Sequence, residues 1–116
     1  MFGNKKAIII MWTREEAFLV IEKLEPKLAD VGTHVALAGS VACRGESDKD
    51  LDLIIYPHTK SMFVDFNFEP AKLVLKEFFN ALEIKDCSGI SQIRDDKKVS
   101  WLKTPKGKRV DFFFLQ

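Results

Sequence analysis

Apolar residues recur at Ala17, Val20, Ile21, Leu24 and Leu28, a spacing of three and four that lines one side of an α-helix. Thr13-Arg14-Glu15-Glu16, just ahead of this stripe, reads as a capping box with Thr13 as N-cap and Glu16 reaching back. Pro26 interrupts the stripe, so the helix is expected to kink or lose its last turn there, with Gly32 as a stop. Residues 34–38 form a short apolar run that reads as a strand feeding directly into Gly39-Ser40. Residues 51–56 read as a second strand closed by Pro57, and their unbroken apolar character beyond Asp52 predicts burial on both faces. Pro70 opens a second helix that carries Ala71, Val74, Leu75, Phe78 and Leu82 on one side. Residues 83–87 suit either a short strand or a loop, and Ser88-Gly89 suits a turn. Residues 99–104 and 109–115 flank Pro105-Lys106-Gly107, a hairpin signal.

Helix, strand, strand, helix and hairpin make an α+β domain, sandwich-like, with helices packed on one mixed β-sheet. A chain of 116 residues is one domain's worth, so residues 1–116 are expected to form a single domain. Nearly half the residues are apolar, ten of them Phe, which is enough for a core without disulfides. Cys43 and Cys87 show no metal-type spacing and are expected to be free thiols in a reducing interior, and His34 and His58 likewise show no ligand pattern. The apolar run at residues 7–12 is too short to span a membrane and lacks a cleavage pattern, so a cytoplasmic protein without a membrane partner is expected. Eighteen Lys and Arg against seventeen Asp and Glu leave the net charge near zero, which argues against a dedicated duplex-binding domain. The local balance differs: Lys97, Lys98, Lys103, Lys106, Lys108 and Arg109 gather just ahead of Asp111.

The candidate chemistry lies in the acids. Asp50 and Asp52 are one residue apart at the start of a strand, so their side chains share a face. Paired carboxylates repel unless a cation sits between them, and an oxygen-only donor set suits Mg²⁺ completed by waters and a polyphosphate. A solvated strand end would also carry acids, but Gly39-Ser40 upstream and the apolar run downstream favour metal ligation. Asp48 has the same spacing from Asp50 and is assigned to the loop, because the apolar run begins only after Asp52. Asp111 lies between Val110 and Phe112, an unusual setting for an acid on a buried strand, and sheet pairing would bring it alongside. A glycine after a strand lets a backbone approach a phosphate, and Ser40 adds a hydroxyl and an N–H. Ser40 has no patterned His partner and is not expected to be a nucleophile. Trp101 is expected in the core, with stacking on a base as the alternative, and Phe112-Phe113-Phe114 in the core or an interface.

Gly39-Ser40, Asp50-Leu51-Asp52 and Asp111 together resemble the nucleotidyltransferase superfamily that includes DNA polymerase beta and the minimal nucleotidyltransferases. Arg109-Val110-Asp111 is similar to the third-aspartate motif of the family X polymerases, and the helix opening at Thr13 is similar to the one leading into their palm. The resemblance covers roughly residues 13–116. It implies a polymerase-beta-like palm in which Asp50, Asp52 and Asp111 are catalytic and hold two Mg²⁺ ions, with Mn²⁺ as a substitute. Gly39, Ser40, Arg44 and Arg109 would bind the nucleotide, ATP among the candidates. The implied reaction moves a nucleoside monophosphate from an NTP or dNTP to an acceptor hydroxyl and releases pyrophosphate. The acceptor would be a nucleic-acid end, a protein hydroxyl or a small molecule. Arg44-Gly45 stands one residue further from Gly39-Ser40 than in the family pattern, and nothing resembling a thumb follows Asp111, so processive templated synthesis by this chain alone is not expected. The alternative is a nucleotidyltransferase-fold binding module or subunit, of toxin–antitoxin or split-enzyme type, that acts with a partner protein or a second copy. A metal-dependent nuclease would use similar acids but leaves Gly39-Ser40 unexplained.

Overall fold

A computed structural model describes residues 10–58, 66–86 and 97–115. Its elements are β1 (Trp12–Thr13), α1 (Arg14–Ala29), β2 (Thr33–Ala38), α2 (Gly39–Arg44), β3 (Glu46–Ser47), β4 (Asp50–Pro57), α3 (Glu69–Phe78), β5 (Lys85–Asp86), β6 (Lys97–Lys103) and β7 (Arg109–Leu115). Five strands form one sheet in the order β2-β4-β7-β6-β5, and β1 pairs with β3 in a separate two-stranded ribbon. The β4–β7 pairing is parallel and the other pairings are antiparallel, so the sheet is mixed. Among the described residues, no helix is long and apolar enough to cross a membrane.

The capping box predicted from Thr13 and Glu16 is present: the Thr13 hydroxyl accepts from the Glu16 N–H, and the Glu16 carboxylate accepts from the Thr13 N–H at 3.0 Å. Pro26 does not cost α1 its last turn, for the helix runs on to Ala29. Lys108 Nζ reaches Glu16 Oε2 at 2.8 Å and lies 4.2 Å over the Trp12 ring, tying the start of α1 to the hairpin.

One face of the sheet is covered. Leu51, Leu53 and Ile55 of β4 and Val110, Phe112 and Phe114 of β7 are essentially fully buried against Ala17, Leu24 and Leu28 of α1 and Ala71 and Leu75 of α3. Phenylalanine rings run through this layer, with Phe66–Phe68 centroids at 4.9 Å, Phe68–Phe114 at 5.0 Å and Phe79–Phe112 at 6.1 Å. The expectation that the strand after Asp52 is buried on both faces is not met. Ile54 is only half-buried and Tyr56 is exposed, because no described helix packs on that side. Leu82 also departs from its predicted stripe: α3 stops at Phe78, and Leu82 lies beyond it at 94% exposure. The predicted strand in 83–87 shortens to Lys85–Asp86, while the Ser88-Gly89 turn and Cys87 lie outside the described residues. Gly107, at φ 83°, closes the predicted hairpin turn and donates its N–H to the Thr104 carbonyl at 2.8 Å.

Candidate active site

The uncovered face of the sheet carries the acids, and strand pairing brings them together. Asp50 and Asp52 are separated along β4 by the buried Leu51, so alternation places both on the open side. In the parallel register Asp52 pairs with Asp111 and Asp50 with Arg109, which sets a third carboxylate beside the first two. One oxygen from each of the three aspartates can be chosen so that all lie within 4.8 Å of one another. Two anchors hold the strand starts. Ser47 Oγ accepts the N–H groups of Lys49 and Asp50, each at 3.2 Å, as the chain enters β4. Trp12 Nε1–H donates to the Arg109 carbonyl at 2.9 Å where β7 begins.

Gly39 closes the site from the β2 side. It opens α2 in the left-handed region at φ 68°, and a methyl group on it would fall 1.9 Å from Asp52 Oδ2. Only a residue without a side chain lets the β2–α2 backbone lie against that carboxylate. Burial, then the charges of Asp50 and Asp111, push the Asp52 carboxyl up to about 6, with Arg109 opposing. Asp50 is raised for the same first reason, burial, followed by the Asp111 charge and hydrogen bonding to Asp111. Arg109 offsets part of this repulsion: its Nε donates to Asp111 Oδ1 at 2.7 Å, and its guanidinium lies 4.4 Å over the Trp101 ring. Three clustered carboxylates against one guanidinium form a site whose unmet demand is for cations. The oxygen-only donors and their spacing fit a hard divalent ion.

No family model matches the chain, and no curated protein does. Solved structures do. The polymerase core of TRAMP, an RNA surveillance complex, is similar over 90% of this chain with a TM-score of 0.59 at 14% identity. A cytoplasmic RNA terminal U-transferase is similar over 87% of it with a TM-score of 0.52 at 15% identity. The chain has the polymerase-beta-like nucleotidyltransferase fold. It spans 33% of the first neighbour and 28% of the second.

Within this fold the residues singled out in the sequence separate into two groups. Asp50, Asp52, Asp111, Gly39 and Arg109 converge on one place. Ser40 follows Gly39 in the first turn of α2, and Arg44 sits exposed on its last turn beside a cleft of about 260 Å³ with Glu46, Ser47 and Asp48. Among the described residues, no hydrogen bond joins either side chain to the acids. Asp48 is exposed in the loop, as expected. Of the lysine group, Lys108 is a structural brace to Glu16, and Lys103 and Lys106 are exposed.

Trp101 is half-buried on the open face, opposite Asp111 in the β6–β7 register, rather than in the core. Lys85 Nζ lies 5.2 Å from the same ring, so cations from two strands address it. A cleft of about 670 Å³ runs past Lys85, Trp101 and Lys103. Stacking on a base was the lesser of two roles expected of Trp101, and the β6–β7 register that sets its ring beside the third acid was not legible beforehand. The only sequence signal of that placement is the odd parity that Trp101 shares with Lys103 across a strand. Phe113 also faces the open side, where it borders a cavity of about 240 Å³ with Ile54, Leu115 and Gly39.

Proposed function

We propose that this chain transfers a nucleoside monophosphate from an NTP or dNTP to an acceptor hydroxyl, with release of pyrophosphate. The observation that carries the reading is the convergence of Asp50, Asp52 and Asp111 from two parallel-paired strands, with Gly39 pressed against Asp52. In the reaction the acceptor hydroxyl gives up its proton to solvent and its oxygen forms a bond to the α-phosphorus as the bond from that phosphorus to the bridging oxygen of pyrophosphate breaks. Asp50 and Asp52 would hold two divalent ions, Mg²⁺ or Mn²⁺ in its place, with Asp111 sharing one of them. Such ions supply charge neutralisation of the phosphates and a lower pKa for the acceptor hydroxyl. Asp111 also orients that hydroxyl, the backbone at Gly39 and Ser40 approaches the β- and γ-phosphates, and Arg44 adds positive charge at the end of α2. Arg109, whose Nε donates to Asp111 Oδ1, would turn to the nucleotide where cations took over as the counter-charge.

Transfer from α-labelled ribo- and deoxyribonucleoside triphosphates to primed DNA, RNA, the protein itself and small alcohols tests this. Label transfer that needs Mg²⁺ and disappears in Asp50→Ala/Asp52→Ala establishes the activity and names the acceptor class. Absence of both transfer and metal-dependent triphosphate binding contradicts it.

The half-buried Ile54, Phe113 and Leu115 favour a second reading, a subunit that acts only with a partner protein or a second copy on its open face. Triphosphate binding without transfer, followed by transfer when a copurifying protein is added, distinguishes it from the first.

A further inference from the structure

At the opposite end of the open face, three side chains from three elements converge. His34 of β2 places Nδ1 2.5 Å from Glu25 Oε2 of α1 and Nε2 2.7 Å from His58 Nδ1, just past the end of β4. Glu25 is itself fixed, its other oxygen accepting the Val35 N–H at 3.0 Å. His58 is anchored by its N–H, which donates to the Gly32 carbonyl at 2.7 Å. The His34 ring packs 5.5 Å from that of Tyr56. His34 pairs with Tyr56 and Ala38 with Asp52, so the cluster lies four positions along β2 from the acids, roughly 13 Å away at the rise of a strand.

The protonation pattern follows from the partners. A carboxylate only accepts, so the proton of neutral His34 resides on Nδ1 and Nε2 presents a lone pair. His58 Nδ1 must then donate to that lone pair. A histidine whose Nδ1–H is held by a carboxylate while Nε2 stays open is the arrangement that metal-ligating histidines adopt, the carboxylate fixing the tautomer and raising the basicity of the ligating nitrogen. Here the His34 Nε2 lone pair is taken up by the proton of His58 Nδ1, and a cation would displace that proton.

We propose that His34 Nε2 and His58 Nδ1 ligate a late first-row divalent cation, Zn²⁺ being the reference case, with Glu25 orienting His34 and waters completing the coordination. Imidazole pairs prefer Zn²⁺, Cu²⁺ and Ni²⁺ over Mg²⁺, so the site is chemically separate from the oxygen-only acid cluster. The two nitrogens face each other across a hydrogen bond, with ring centroids 4.9 Å apart. Tetrahedral ligands at about 2.0–2.1 Å need nitrogens about 3.3 Å apart and directed at a common point, so the exposed His58 side chain must swing off the present line. On binding, the His58 proton passes from Nδ1 to Nε2, leaving the net charge of the ring unchanged. The cation would then bind the end of β4 to the start of β2, whose His34 is already held to α1 by Glu25. The inference is independent of the nucleotidyl-transfer reading.

Calorimetric titration with Zn²⁺ in excess Mg²⁺ tests it, with a parallel thermal melt. The wild-type chain should bind one equivalent and melt at a higher temperature, reversibly on chelation. His58→Ala, at an exposed position, should abolish both effects while leaving the metal-free melting temperature unchanged. Glu25→Gln should weaken binding about 10–100-fold without eliminating it. Asp50→Asn/Asp52→Asn should bind as wild type. Unchanged Zn²⁺ binding in His58→Ala, loss of binding in the Asp50→Asn/Asp52→Asn chain, or no saturable binding in the wild type overturns the proposal.

Discussion

Along β4 and β7, adjacent residues occupy opposite environments. Leu51, Leu53 and Ile55, with Val110, Phe112 and Phe114, lie at 0–1% exposure under α1 and α3. Asp50, Asp52 and Ile54, with Arg109, Asp111 and Phe113, face a side that no described helix covers and are only half-buried. The covered face gains from removing apolar area from water, and its side chains lock the strands in register. The open face then uses that fixed register to hold three like charges together, an arrangement that disfavours folding by itself. Burial and repulsion push Asp52 up to about 6, a local cost that the packing behind it sustains. One side of the sheet supplies rigidity, and the other converts it into an electrostatic demand for cations.

Substitutions that separate the two faces sharpen this contrast. The largest effect belongs to Phe112→Ala on the covered face, which should cost about 3–5 kcal/mol in denaturant unfolding. Phe113→Ala, one residue away on the open face, should cost about 1 kcal/mol, in proportion to its smaller burial. Equal costs would show that the open face is covered in solution. Asp52→Asn should reduce metal-dependent transfer by at least about 100-fold, the scale of a lost electrostatic stabiliser. The same variant should unfold no more easily than wild type, and a variant that loses both stability and activity would mean the acids are structural. Thr13→Ala removes the capping hydroxyl of α1 and should cost about 1 kcal/mol with little change in transfer.

The smallest effect is a pH slope. Asp52 is raised in the folded chain from 3.8 to about 6, so between these values the folded state binds more protons than the unfolded state. Metal-free stability should therefore decline as pH rises from about 4 to about 6 through this group, with Asp50 acting in the same direction. Asp52→Asn should flatten the slope in thermal melts. Saturating Mg²⁺ should suppress it, because the cation takes the place of the proton, and Mg²⁺ affinity should fall as pH drops below about 6.

Much of this was written in local sequence. Thr13 and Glu16 announce the start of α1, and a capping box needs nothing beyond four residues. Alternation alone puts Asp50 and Asp52 on one face, and the apolar run after Asp52 leaves Asp48 to the loop, where it lies exposed. Coverage of a face is not local. Ile54 and Ile55 look alike in the chain, and only the placement of α1 and α3 makes one buried and the other half-open. Arg109 and Asp111 share a face of β7 two residues apart, so their ion pair is local, whereas the place of Arg109 over Trp101 depends on the β6–β7 register and was hidden for the same reason. Glu25, His34 and His58 span a helix and two strand ends, so no spacing rule connects them.

The central claim is that the three acids are a divalent-cation centre for a triphosphate. Anomalous diffraction from crystals grown with Mn²⁺ and a non-hydrolysable nucleoside triphosphate addresses it most directly. The account predicts two Mn²⁺ peaks bridged by Asp50 and Asp52, one of them also ligated by Asp111, with Arg109 withdrawn from Asp111. Bound nucleotide with no Mn²⁺ at these carboxylates, and Arg109 still paired to Asp111, would contradict it.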